Sequence, residues 1–253
     1  MNIQKSLKKF SLLSLAVLAI SCSDSDSDQV GGDNGDNGNS GTPGSEACNN
    51  PANYIFAEKD GFVKVEIEDA VLPENWKLET SNSASGKGYA VWTGDQSLGQ
   101  PGKGLIEYKL AIKTPGTYRF LWNTAVTIGN QSSEHNDSWL KFPDATNYYG
   151  EKNGSRVYPK GSGQTPNPNG SSADGWFKIY RSGSDLDFKW QAATSDNDSH
   201  NIYVEFATAG TYTMQVSARS TGHGIDQFML FQEDTYSLND AKEITTFSEV
   251  SCN

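Results

Sequence analysis

Cysteine is nearly absent: the 253 residues contain three, and no two stand in a CxxC spacing, which argues against zinc-ribbon and thiol-redox chemistry. Histidine is equally rare at three, leaving few groups that exchange a proton near neutral pH. Long apolar runs are missing too. The longest, Leu12–Ile20, is too short to cross a bilayer. Helical periodicity is scarce, and a helix is expected only over Ser237–Ile244. Basic charge is in deficit, with 20 Lys and Arg against 31 Asp and Glu and a net −11, which argues against a nucleic-acid partner.

Gly, Ser, Asn, Thr and aromatic residues are plentiful instead, and they divide the chain into three parts. Residues 1–21 read as an export signal, with Lys5, Lys8 and Lys9 ahead of the short apolar run. LAISC resembles a bacterial lipoprotein processing site, with Ile20 where a small residue is commoner, so Cys22 is the expected lipidated residue. A simple secretory signal is the alternative. Residues 22–47 are a Ser/Asp/Gly tether too poor in apolar groups to offset the entropy of ordering. The run SDSDSD after Cys22 resembles a signal that sends lipoproteins of Gram-negative bacteria to the cell surface, although inert acidic spacers look the same. Residues 48–253 are long enough for one β-sandwich and too short for a binding module with an ordinary catalytic domain. In an exported chain the remaining cysteines, Cys48 and Cys252, flank this domain and are expected to form a disulfide.

The stretch Ser220–Phe231 organises the domain. Strict alternation places Asp226, Phe228 and Leu230 on one face and Ile225, Gln227 and Met229 on the other, so a carboxylate shares a face with apolar groups. Upstream, VKVEIEDA (Val63–Ala70) puts Val63, Val65 and Ile67 on one face and Glu66 and Glu68 on the other. Folded together, Glu66, Glu68 and Asp226 would make the hard oxygen site that calcium prefers. VEIEDA, GKGYAVWTG (Gly86–Gly94), two GTY strand starts and GIDQFMLF together resemble the carbohydrate-binding modules of the family 6 and family 35 type, over roughly Tyr54–Gln232. The resemblance implies an all-β fold, a single β-sandwich of jelly-roll type. It also implies a structural Ca2+ on those three acids and non-catalytic binding of polysaccharide. Solvated strand-edge charges are the plainer reading of the same acids.

Sugars need exposed rings for their C–H faces and polar groups for their hydroxyls. The resemblance places the site in loops at one end of the sandwich. The segment Ser132–Phe142 supplies His135, Asn136, Asp137 and Trp139, with Leu140 and Phe142 alternating inward. Trp92 stands at a strand end as a candidate platform, Tyr149 and Trp176 border the long Asn147–Tyr180 stretch, and His223 precedes the last strand. Between Lys141 and Trp190 seven basic residues face five acidic ones, which points to an anionic polysaccharide or to an ordinary mixed-charge surface. Thr194–Asn201, with Asp196, Asp198 and His200, is either a second calcium loop or an Asx-rich turn.

A weak repeat, LIEYKLAIKTPGTYRFLW (Leu105–Trp122) and IYVEFATAGTYTMQV (Ile202–Val216), reads as two equivalent hairpins, with Trp122 in the core. Two other functions compete with binding. A jelly-roll lyase could use His135 with Tyr149 or Arg156, and a retaining glycosidase needs two carboxylates about 5 Å apart. The chain has no ExDxE cluster and none of the RxExR, QIH or YFKxGxYxQ patterns of jelly-roll alginate lyases. An adhesin or structural surface lipoprotein is the third reading.

Overall fold

The computed structural model describes residues 49–252, apart from 184, 195 and 196. The expected signal, Cys22, the tether, Cys48 and Asp196 lie outside the described residues. In chain order the strands are β1 (Tyr54–Ala57), β2 (Phe62–Glu66), β3 (Trp76–Glu79), β4 (Tyr89–Trp92), β5 (Ile106–Ile112) and β6 (Gly116–Val126). Next come β7 (Asp137–Lys141), β8 (Asn147–Lys152), β9 (Ser155–Val157), β10 (Ser172–Ala173), β11 (Trp176–Tyr180) and β12 (Lys189–Trp190). The last are β13 (Ala193–Thr194), β14 (His200–Phe206), β15 (Gly210–Ser217), β16 (His223–Phe231) and β17 (Val250–Cys252). One short helix, α1 (Leu238–Glu243), precedes β17 and is capped by Ser237 Oγ, which accepts from Asp240 N at 3.2 Å.

The pairings build two sheets. One runs β17, β1, β5, β15, β7, β11, with β10 at its margin. The other runs β2, β16, β6, β14, β8, β9, with β3 and β4 joined to the start of β16. The short β13 pairs with both β11 and β14 and closes one margin. This is the expected β-sandwich. Its core follows from alternation: Tyr118, Phe120 and Trp122 of β6, Phe228 and Leu230 of β16, and Ile106, Tyr108 and Leu110 of β5 are all buried.

The two repeat units are corners between sheets rather than hairpins. β5 pairs with β1 and β15, while β6 pairs with β14, β16 and β12, so β5 and β6 lie in opposite sheets. β14 and β15 part in the same way, and the repeats pair with one another, β5 on β15 and β6 on β14. An alternating strand, a Gly turn and another alternating strand encode both arrangements. What differs is whether both apolar faces belong to one sheet or look across the core at each other.

Alternation also breaks within β16. Ile225 pairs with Thr124 but Gln227 pairs with Asn123, so Asp226 is an extra residue with no partner on β6. The bulge puts Ile225, not Asp226, on the face of Phe228 and Leu230, since their partners Thr124, Trp122 and Phe120 alternate along β6. Asp226 turns instead to the side of Gln227. A buried carboxylate thereby leaves the apolar core, which corrects the strict alternation expected for this strand.

Candidate functional site

The outward turn of Asp226 brings the three expected carboxylates to one place. Gln227 pairs with Glu66 across β16 and β2, and the chain then coils into a 3-10 turn, Ile67–Asp69, that carries Glu68. All three acids meet the segment Ser85–Lys87 ahead of β4. Ser85 Oγ donates to Glu66 Oε2 at 2.7 Å and lies 3.3 and 3.4 Å from the Asp226 oxygens. Ser85 N donates to Asp226 Oδ1 at 2.9 Å, and Lys87 N to Glu68 Oε1 at 2.6 Å. Between them Gly86 has φ +56°, and a Cβ there would stand 2.3 Å from Glu68 Oε1. A side chain there would strain the backbone and push the Glu68 carboxylate aside. Asn123 Nδ2 and Gln227 Nε2 also donate to Asp226 Oδ2, at 3.0 and 2.9 Å.

Burial, followed by the charges of Glu68, Asp226 and Asp69, pushes the Glu66 carboxyl up to about 7 against the opposing Ser85 hydrogen bond. Glu68 and Asp69 are raised as well, each first by burial. Lys64 shares the neighbourhood, but its ammonium donates to Ile244 O at 2.7 Å and faces the rings of Trp190 and Phe247. Two oxygens of the cluster, Glu68 Oε2 and Gln227 Oε1, are buried without a hydrogen-bond partner. An all-oxygen set with orphaned acceptors and mutually repelling acids fits a hard divalent cation in kind. Among the described residues no three His, Cys, Asp or Glu side chains already stand at metal-ligating spacing. The Ser85 hydroxyl occupies the gap between Glu66 and Asp226 and would have to turn aside.

A second polar site lies at the end of the sandwich where the β4–β5, β6–β7 and β15–β16 connections meet, the upper end. A cleft of about 380 Å³ opens there between Gln96 and Leu98 of the first loop, Ser133–Asn136 of the second, and Arg219 and Ser220 of the third. Its floor is Asp137 at the start of β7 beside Lys178 of β11. The buried Asp137 carboxylate accepts both of its close contacts to Arg219 Nη1 at 2.6 Å, one from Ser220 Oγ at 2.5 Å, and faces Lys178 Nζ at 3.5 Å. One anion is thus set against two cations in a poorly solvated floor. His135, half-buried in the turn with φ +56°, is fixed by Nδ1 against Thr221 O at 2.7 Å.

Of the expected ligand residues, His135, Asn136 and Asp137 line this cleft. Asn136 is largely spent on the loop itself, its amide donating to Ser132 O and Arg181 O. Trp139 is on the outer face of its sheet as alternation requires, yet it is only 1% exposed, because the β4–β5 loop lies over it. Its Nε1 donates to Ser97 O at 2.9 Å, and the Arg219 guanidinium sits 5.3 Å from the ring centre. Trp92 is 1% exposed too, its edge against Trp76 and its Nε1 on Asp95 O. Gly104, with φ +58°, packs so closely on Trp92 that a Cβ would come within 2.6 Å. Neither indole offers a free face to a sugar.

The other three lie elsewhere. Trp176 is buried under the Lys141 ammonium. Tyr149 is clamped between Tyr203, stacked at 5.7 Å, and the Arg156 guanidinium at 4.2 Å. Tyr149 pairs through Tyr203 and Arg119 with Phe231 and Phe62, the end of the sheet away from the cleft, so the imagined grouping of His135 with Tyr149 or Arg156 does not form. His223 is fully buried between the sheets, its Nδ1 on Ser138 Oγ at 2.8 Å and its ring edge-on to Trp122. Burial lowers its pKa to about 3. In the Thr194–Asn201 loop His200 Nδ1 is on Asp198 O at 2.8 Å, while Asp198 pairs with Lys152.

Sequence reasoning missed Gln96, Leu98, Lys178, Arg219 and Ser220. Lys178 was within reach: alternation in GWFKIY puts it opposite Phe177 and Ile179, on the face that carries Asp137. Arg219 stands one residue ahead of Ser220–Phe231 and carried no periodic signal.

No protein-family model matches the sequence, and no curated protein sequence matches it. Solved structures do. The chain is similar to a family 35 carbohydrate-binding module from Clostridium thermocellum, at 16% identity and a TM-score of 0.38, over 68% of this chain and 98% of that one. It is also similar to a family 35 module from Cellvibrio japonicus, at 12% identity and a TM-score of 0.37, over 68% and 93%. A GH26-CBM35 β-(1,4)-mannanase of Podospora anserina matches at 16% identity and a TM-score of 0.41, over 68% of this chain. This chain covers 28% of the mannanase.

Proposed function

We propose that this chain is a carbohydrate-binding module that holds a polysaccharide in the upper cleft without cleaving it. The observation that carries the reading is the cleft itself: an open, preorganised polar concavity at the strand ends, with donors and acceptors facing the opening and Leu98, 49% exposed, as the apolar contact. Saccharide hydroxyls demand such a mixture of donors and acceptors. With Trp92, Trp139 and Trp176 buried, selectivity rests on hydrogen bonds and charge more than on ring stacking. One ammonium, Lys178, and one guanidinium, Arg219, face the single carboxylate of Asp137 at the floor and favour a glycan bearing carboxylates or sulfates there, with Glu134 the one acid on the loop above.

The remaining parts of the reading concern how the module is held. A calcium ion on Glu66, Glu68 and Asp226 would be structural, supplying the positive charge that this acidic cluster lacks. A Cys48–Cys252 disulfide would secure the edge where Cys252 pairs with Tyr54. A lipid on Cys22 and the acidic tether would place the module at the outer membrane surface.

Affinity electrophoresis tests the binding reading, using gels that contain polygalacturonate, alginate, xylan or galactomannan. We expect retardation by at least one acidic polymer, reduced by Gln96→Ala and by His135→Ala. Equal mobility in every gel, or retardation untouched by both substitutions, removes the cleft from consideration. Product formation in the same samples would replace capture with cleavage.

A further inference from the structure

A cavity of about 400 Å³ lies at the lower end of the sandwich and plays no part in the reading above. It opens between the β1–β2 turn, the β5–β6 corner and the segment linking α1 to β17. Its apolar wall is aromatic, made by Phe62, Tyr236 and Phe247. Phe62 and Tyr236 meet edge to face at 5.5 Å, and Phe247 remains 36% exposed. Around this wall stand two ammonium groups, Lys59 and Lys113, and three carboxylates, Asp60, Glu249 and the buried Glu58.

The walls are fixed before any ligand arrives. The buried Glu58 carboxylate accepts from Gly61 N at 2.5 Å, Lys113 N at 2.8 Å and Thr114 N at 2.7 Å, tying the turn to the corner. Tyr236 Oη donates to Asp60 O, and Lys64 Nζ to Ile244 O. The C-terminal segment is laced to both neighbouring strands by Ser248 N on Lys64 O and Ala57 N on Glu249 O. A rigid concavity loses little entropy on binding.

We infer that this cavity is a second saccharide site, selective for an uncharged sugar unit. A ring wall suits C–H faces, while the lining offers both donors and acceptors for hydroxyls, and its excess of one carboxylate over the two ammonium groups disfavours an anion. The upper cleft differs on the second count, since Lys178 and Arg219 there match Glu134 and Asp137 and leave no acidic excess. β16, nine residues long, runs from the cleft to Phe231 opposite Phe62, about 30 Å at the rise of a strand. One domain would therefore grip a glycan at two separated points or join two chains.

The inference stands apart from the upper-cleft reading, and one experiment separates them. The full chain, labelled with nitrogen-15, is titrated with cellohexaose, mannohexaose, xylohexaose and a hexagalacturonate while amide shifts are followed. We expect at least one neutral hexasaccharide to move the amides of Lys59–Gly61 and Thr246–Glu249. Phe247→Ala and Lys113→Ala should each weaken that response about tenfold and leave shifts at Gln96 and Ser220 unchanged. Shifts confined to the upper-cleft amides with all four probes overturn the second site and leave the first standing. Shifts confined to the lower amides do the reverse.

Discussion

Gln227 donates a hydrogen bond to the carboxylate of its own chain neighbour Asp226, 2.9 Å away. Adjacent residues of a regular strand point to opposite faces, so this contact exists only because Asp226 is a bulge. The extra residue lets an acid at the centre of a buried strand reach Ser85, Asn123 and the Glu66–Glu68 turn rather than the aromatic core.

If those acids hold calcium, the ion stabilises the native state by mass action. At a hundredfold excess over the dissociation constant the gain is about 2.7 kcal/mol. For a domain of this size that is roughly 5–10 °C in melting temperature. Scans with calcium chloride and with EDTA should differ by that margin, and Asp226→Asn should abolish the difference. Identical curves would remove the metal.

Gly86→Ala should damage the same cluster without touching a charge, since its Cβ would collide with Glu68 Oε1 at positive φ. A loss of about 1–3 kcal/mol is expected from the strained backbone alone. Urea titration measures it, and a wild-type midpoint would show that the 85–87 segment does not hold this conformation.

Trp139→Ala and Trp92→Ala are expected to destabilise by about 3–5 kcal/mol each, as buried large-to-small changes do. This is the opposite of what exposed sugar platforms would give. A folded, wild-type-stable Trp139→Ala protein with lost glycan retention would restore the platform.

His223 sets an acid limit on the fold. Its folded pKa, about 3, lies below the ordinary 6.5 because burial opposes the charge, so between those values the unfolded chain binds the extra proton. The stability it contributes is fully present above about pH 6.5 and is lost as pH falls towards 3, by up to roughly 5 kcal/mol. His223→Gln should flatten that part of the stability profile. An unchanged slope would assign acid unfolding to other groups.

The sequence carried a good deal of this. The strands, the core positions of β6 and the short helix at Ser237 were legible because burial writes a period of two into a sandwich, whereas the meeting of Glu66, Glu68 and Asp226 was expected from the family resemblance and not from that period. The bulge at Asp226 was not, since one inserted residue changes faces without changing composition. Hairpin and inter-sheet corner looked alike at Gly116 and Gly210 because both need the same turn between alternating strands. The misplaced platforms share a different cause. Trp139 points outward as expected, but outward is not exposed when a loop from Asp95 to Gly104 lies across the sheet, and no local pattern announces such a cover.

The position of β1 bears on how the domain would respond to tension. It lies between β17, antiparallel, and β5, parallel, with three residue pairs in register on each side. A pull entering through the residues that precede Tyr54 acts along the strand axis and must slide both ladders at once. Loading in shear shares the force among all the hydrogen bonds, whereas peeling would break them one by one, so an attachment through that end, if the chain has one, would load these two ladders in the direction that resists opening.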